Sequence, residues 1–104
     1  MNMLVVFVTC ADKTEAKRIS EALVADRLVA CVNILAPVES HYVWEGKAGW
    51  SSEIPLLMKT LPEKFDSVSQ RIRSLHSYTT PNITAWEARA DTKFAEWVKE
   101  SVAE

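Results

Sequence analysis

Two amphipathic helical stripes, each set between strand-like runs, limit what this chain can fold into more than any other feature. Leu4 to Val8 is an unbroken apolar, mostly branched run. It predicts a central strand covered on both faces. Asp12 and Glu15 then form an Asp-x-x-Glu start signal resembling a capping box. Ala16, Ile19, Leu23, Val24 and Leu28 follow at helical spacing, which predicts a helix over about residues 13–28. Val29 to Leu35 is strand-like again, and Pro37 interrupts it as at an edge or bulge. Strand character resumes over Ser40 to Trp44, with Ser40, Tyr42 and Trp44 on one face and His41 and Val43 on the other. Glu45 to Gly49 is expected to turn and Glu53 to Thr60 to return, giving a long hairpin over residues 29–60.

The second stripe is cleaner. Thr60 and Glu63 form another capping signature with Pro62 in the first turn. Phe65, Val68, Ile72 and Leu75 mark one apolar face, and the helix is expected to stop near His76. Ser77 to Asn82 reads as a loop, Ile83 to Arg89 as a last strand, and Asp91 as the cap of a short helix with Phe94, Trp97, Val98 and Val102 inward. The order βαββαβ plus a terminal helix predicts an α+β, ferredoxin-like sandwich. Right-handed crossovers put the first and third strands in the middle and the second and fourth at the edges.

At 104 residues the chain is expected to be one domain, residues 1–104, with enough core to fold without metal or disulfide staples. A net charge of −2 offers no basic excess for a phosphate backbone, so nucleic acid is not an expected partner. With only Gly46 and Gly49, a glycine-rich phosphate loop is excluded. No apolar run approaches membrane length and no secretion signal is evident, so two reduced cysteines in the cytoplasm are expected. Four tryptophans are hard to bury in so small a monomer, which points toward subunit association.

Several stretches carry a resemblance to a known family. They are Val8-Thr9, the run Leu28 to Ile34, Ser40-His41-Tyr42-Val43-Trp44-Glu45-Gly46-Lys47, Glu53, Met58-Lys59-Thr60, and His76-Ser77-Tyr78 with Pro81. In this order they resemble the CutA divalent-cation tolerance family over essentially the whole chain. The resemblance implies a ferredoxin-like fold assembled as a homotrimer through its long strands, and a link to copper and other heavy metals without a settled enzymatic activity. The chain differs from the family pattern at Ser77, Thr79 and Asn82, where a proline and two acidic residues are usual.

Candidate ligands are few. Cys10 ends the first strand where the chain enters a helix, and that helix N-terminus is expected to lower the thiol pKa and favour a thiolate metal ligand. Lys13 stands where a second cysteine would complete a copper(I) clamp, and the alternative for Cys10 is a half-buried structural role. His76 opens the loop matching the family motif and offers an imidazole suited to copper or zinc, or else a C-terminal cap of its helix. Cys31 reads as core packing, and no disulfide with Cys10 is expected. Tyr42, Trp44, Glu45, Lys47, Glu53, Lys59 and Tyr78 form a polar–aromatic set. They are expected to make either a trimer seam or a subunit cleft for a small anionic or metal ligand. No catalytic constellation stands out, so the chain reads as a non-enzyme. The leading expectation is a homotrimeric copper or heavy-metal binding protein that needs no cofactor to fold. A trimeric small-molecule sensor resembling nitrogen-signalling regulators and a protein-interaction scaffold are the alternatives.

Overall fold

The computed structural model describes residues 2–103. The elements run β1 (Asn2–Cys10), α1 (Lys13–Ala25), β2 (Cys31–Ile34), β3 (Val38–Trp44), β4 (Lys47–Thr60), a 3-10 turn (Pro62–Lys64), α2 (Phe65–Leu75), β5 (Ile83–Arg89) and α3 (Thr92–Ser101). The sheet order is β2-β4-β1-β5, all antiparallel, with β3 pairing β4 beyond β2. This is the ferredoxin-like arrangement, with β1 and β4 central as the crossover rule requires.

Alternation along β1 assigns its two faces. Leu4, Val6, Val8 and Cys10 join Ile54, Leu56 and Met58 under α1 and α2, where Ala16, Ile19, Leu23, Val68 and Ile72 complete the core. Met3 and Val5 lie on the opposite face, where α3 covers them with Val98 and Val102. The α3 helix reaches only part of that face, and Phe7 and Thr9 lie in the part that lines a cleft.

Local chemistry departs from the sequence expectations at four places. The α1 helix stops at Ala25 because Arg27 takes a left-handed conformation, φ 56°, and the Leu28 amide closes back on the Leu23 carbonyl. A non-glycine residue in that position left no sequence signal. The Arg27 guanidinium then donates to the carbonyls of Glu100 and Ser101, tying the two helix ends together. Thr60 does not cap α2. Its hydroxyl donates to the Leu28 carbonyl, and the helix begins through the 3-10 turn with Pro62 in first position.

The hairpin turn is shorter than the expected five residues. Only Glu45 and Gly46 turn, with φ 51° and 78°, the pair of positive values a two-residue hairpin loop requires. The strand therefore resumes at Lys47, and β4 is 14 residues long. Gly49 lies opposite Tyr42, and a Cβ there would meet the Tyr42 ring at 3.4 Å. Finally, Asp91 caps α3 as expected and Val98 and Val102 face inward, but Phe94 and Trp97 lie against each other with tilted rings at the surface.

Beyond Glu53 the hairpin has no helix over it. Trp44 is 50% exposed and Trp50 63%. The molecule measures 44 × 24 × 23 Å, with a radius of gyration of 14.1 Å. A compact chain of this length has a radius of gyration of about 13 Å. The accessible surface is 6433 Å², against roughly 5,900 Å² for a monomer of this mass.

Candidate metal centre and the adjoining cleft

The C-terminal end of β1, the N-terminal end of α1 and the C-terminal end of α2 meet at one corner. Cys10 arrives from the strand with its side chain on the helix-covered face and no exposure. Asp12 caps α1 by accepting the Glu15 amide at 2.8 Å. Glu15, in the first turn, folds back toward the strand end, as the third residue of a capping box does. His76 caps α2 through its amide, which bonds the Ile72 carbonyl, and its ring turns into the same corner. One donor atom from each of Cys10, Glu15 and His76 lies within 4.8 Å of the others.

The side chains of the corner are buried and densely bonded, while Ala11 and Ser77 at its rim are exposed. Glu15 Oε1 accepts the Ala11 amide at 3.3 Å, and Oε2 accepts the Ser77 amide at 3.2 Å. His76 Nε2 lies 2.8 Å from the Thr9 carbonyl, and Nδ1 accepts the Tyr78 amide at 3.0 Å. Those two partners select the neutral ring with its proton on Nε2. Nδ1 also stands 3.4 Å from Glu15 Oε1. Burial pushes the Cys10 thiol up to about 12, with Glu15, Glu53 and Asp12 adding to it. This runs against the lowering expected from the helix N-terminus, because removal from water and the nearby carboxylates both disfavour the thiolate.

The residue types suit a borderline metal such as zinc or copper(II): one sulfur, one imidazole and one carboxylate. A four-coordinate ion holds such atoms roughly 3.3–3.8 Å apart. The corner would therefore have to draw in by about an ångström and release the Tyr78 amide from Nδ1. Glu15 is the member that sequence reasoning missed. It reads there as a helix cap, and the clue was that a capping glutamate reaches back toward the strand end where Cys10 lies.

The polar–aromatic set divides. Tyr42, Trp44, Glu53 and Tyr78 line a single cleft of about 860 Å³ between the hairpin and the Ser77–Asn82 loop, together with Phe7, Thr9, Ser40 and Ser51. Glu45 lies in the hairpin turn, and Lys47 pairs with Trp44 at the far tip. Lys59 bonds the Asn33 side chain across β2 and β4. None of these three lines the cleft, and neither does any other lysine or arginine. That composition does not suit the anionic ligand the sequence allowed. Tyr78 joins the two places: its amide reaches His76, and its hydroxyl donates to Glu53 Oε2 at 2.9 Å. Burial and that bond to Glu53 raise the phenol pKa, so it stays a donor. His41, on the other face of β3, stacks toward Trp50 and bonds Glu39. Cys10 and Cys31 are both free.

Residues 4–101 match the model of the family described as CutA1 divalent ion tolerance protein. The chain belongs to that family. It is 39% identical over 98 residues to the divalent-cation tolerance protein CutA of Archaeoglobus fulgidus, covering 93% of this chain and 95% of that one. It is 34% identical to the chloroplastic CutA 1 of Oryza sativa over 97% of this chain but 58% of the longer plant protein. Among solved structures, the A. fulgidus CutA, described as periplasmic, superposes with a TM-score of 0.92 at 38% identity. It covers 99% of this chain and 100% of that chain. The O. sativa CutA1 crystal structure gives 0.95 at 33% identity, covering 100% of this chain and 96% of that one. The CutA fold thus extends across this chain, and the divalent-cation description attaches to the relatives on which it is printed.

Proposed function

We propose that this chain is a non-enzymatic, homotrimeric cytoplasmic protein of divalent-cation tolerance that binds copper or another divalent metal at Cys10, Glu15 and His76. The observation that carries the reading is the convergence of a thiol, a carboxylate and an imidazole at one buried corner. A bound ion would be held by those three side chains and would replace the proton on the Cys10 sulfur. With the thiol pushed up to about 12, affinity rises with pH by roughly tenfold per unit, as expected when a ligand must lose its proton. Calorimetric titration with Cu²⁺ and Zn²⁺ tests this. His76→Ala should weaken Cu²⁺ binding more than tenfold, and Cys10→Ser should weaken Cu⁺ more than Cu²⁺ because sulfur is the softer ligand. A wild-type protein with no saturable metal binding, or variants that titrate like wild type, would refute the metal reading.

Trimerisation is supported by the surface in excess of a compact monomer, by the open edges of β2 and β5, and by the uncovered hairpin with Trp44 and Trp50. A stable monomer in sedimentation equilibrium at micromolar concentration would refute it. Two free cysteines support a reducing compartment, and among the described residues no helix is long and apolar enough to cross a membrane. A second reading, a small-molecule sensor, is favoured by one specific observation: the large cleft that shares Tyr78 with the metal corner.

A further inference from the structure

The segment between α2 and β5, residues 77–82, is fastened to the rest of the chain by few hydrogen bonds. Among the described residues it takes part in no backbone-to-backbone bond. Asn82 accepts the nearby Thr84 hydroxyl, and three further bonds reach the body of the fold. The Ser77 amide donates to Glu15 Oε2 at 3.2 Å, the Tyr78 amide to His76 Nδ1 at 3.0 Å, and the Tyr78 hydroxyl to Glu53 Oε2 at 2.9 Å. Two of those three acceptors belong to side chains of the metal corner. The same groups that suit a metal ion therefore latch a loop whose Ser77, Thr79, Thr80 and Asn82 are exposed.

The two latch bonds are not equivalent. His76 places its Nε2 proton on the Thr9 carbonyl at 2.8 Å, and the nitrogen left for a metal is set by the bond the other one makes. That nitrogen is Nδ1, whose single in-plane lone pair already accepts the Tyr78 amide. One lone pair serves one partner, so an ion and this amide exclude each other. Glu15 has oxygens to spare. Oε1 stands 3.4 Å from Nδ1 and can turn to an ion while Oε2 keeps the Ser77 amide. The Tyr78 hydroxyl, bonded to Glu53 outside the corner, has no competitor there. Occupancy of Nδ1 thus frees one bond between two that hold, and the peptide unit joining Ser77 to Tyr78 is the part free to turn.

We propose that residues 77–82 form a metal-operated switch: without an ion, His76 Nδ1 latches the Tyr78 amide, and an ion at Nδ1 releases it. The proposal rests on the metal reading and adds what binding changes. Thr79 and Thr80 line both the groove beside α2 and the hollow facing the hairpin. The loop can therefore report the state of a buried corner at the surface.

The test follows both states by NMR on the native assembly, stripped with EDTA and then titrated with diamagnetic Zn²⁺. The chain has only two histidines, so isotope-labelled imidazole nitrogens report on His76 with His41 as the exposed reference. Without metal, His76 should carry its proton on Nε2. At saturation Nδ1 should show the metal-bound shift while Nε2 stays protonated. Exchange of the Tyr78 amide with water should rise at least about fivefold, the factor expected from one lost hydrogen bond, with the Ser77 amide unchanged. His76→Ala should show the fast Tyr78 exchange from the outset and no response to Zn²⁺. Saturation through Nε2, or through Nδ1 with Tyr78 still protected, would overturn the switch and leave the metal reading standing. Equal release of Ser77 and Tyr78 would also overturn it, since the loop would then open as a whole and not at one latch. Tyr78 exchange in His76→Ala as slow as in metal-free wild type would show that the ring is no latch. An absence of saturable Zn²⁺ binding would remove the metal reading and the switch together.

Discussion

The corner at Cys10 and the cleft at Glu53 lie within one tyrosine of each other and handle buried polarity in opposite ways. In the corner, Glu15 has an amide on each oxygen, and His76 has a partner on each nitrogen. Loop backbone converging from three elements supplies those partners. In the cleft, Glu53 has one hydroxyl and an open oxygen. The hairpin wall beside it is a two-stranded ribbon, and the one described hydrogen bond to that carboxylate comes from the Tyr78 side chain and not from backbone. A saturated site resists entry and admits only a ligand that outcompetes its internal bonds. An open one leaves its second oxygen to solvent or to a covering subunit.

The sharpest way to break this contrast is to remove a wall of the open side. Trp44 is half-exposed in one chain. If a neighbouring subunit covers it, Trp44→Ala should cost about 3–5 kcal/mol per subunit, with a melting temperature that depends on protein concentration. Val43→Ala, on the opposite face of β3, should cost less. Thermal melts over a range of concentrations decide the matter. Equal melting temperatures for wild type and Trp44→Ala, with only ligand response altered, would make Trp44 a binding-site residue and nothing more.

The closed side should reveal itself in alkali. Folding raises the Cys10 thiol from 9.0 to about 12. Below pH 9 both states keep the proton and the contribution of the neutral thiol is fully present. Above it the unfolded chain releases its proton first, and stability falls until the folded value is reached. The loss is about 1.4 kcal/mol per pH unit, approaching ~4 kcal/mol across the window. Urea denaturation from pH 8 to 11 should show this slope in wild type and a flatter one in Cys10→Ala. Thiol labelling at pH 8 should modify Cys31, which is partly accessible, well before Cys10.

How much of this was legible before folding depended on the range of the interaction. The strand order, both core stripes and the Asp12 and Asp91 caps followed from local periodicity and capping chemistry. Cys10 and His76 were identifiable because their residue types are few. Their meeting with Glu15 was not, because it depends on a contact spanning 62 residues between the Ser77 amide and the Glu15 carboxylate. The Thr60 cap failed for the same reason, since a distant carbonyl at Leu28 competed for its hydroxyl. Lys47 and Lys59 share a strand with Glu53 and, at even spacing, the same face, yet the length of β4 carries Lys47 to the tip and Lys59 to the β2 side. Their separation from the cleft depends on that length, which the expected turn over residues 45–49 concealed.

Truncation of the capping carboxylate sharpens the comparison next. Glu15→Ala strips the Ala11 and Ser77 amides of their buried partner, although both amides belong to exposed residues that water can reach in part. The expected cost is about 1–2 kcal/mol, read by denaturant midpoint. Glu15→Gln retains one acceptor oxygen and should recover part of it. A loss below ~0.5 kcal/mol for Glu15→Ala would mean that water satisfies both amides as well as the carboxylate does.

The smallest expected effect falls on the residue shared by both sites. Tyr78 serves His76 through its backbone amide and Glu53 through its hydroxyl, so Tyr78→Phe separates the two functions within one side chain. The amide survives the substitution, and the ring can keep its tilted packing against the imidazole at 4.7 Å. The metal corner should therefore titrate with Cu²⁺ as in wild type. The Glu53 carboxylate loses the one hydrogen bond it receives from the described residues. A bond to a charged acceptor contributes about 1.5–3 kcal/mol when buried, and the half-exposed setting of Tyr78 places this one near or below the lower end, about 1 kcal/mol. The denaturant midpoint should drop by that small amount. A parallel fall in Cu²⁺ affinity would show that the hydroxyl, through Glu53, holds the loop that sets the His76 ring, and the corner and the cleft would then be a single site.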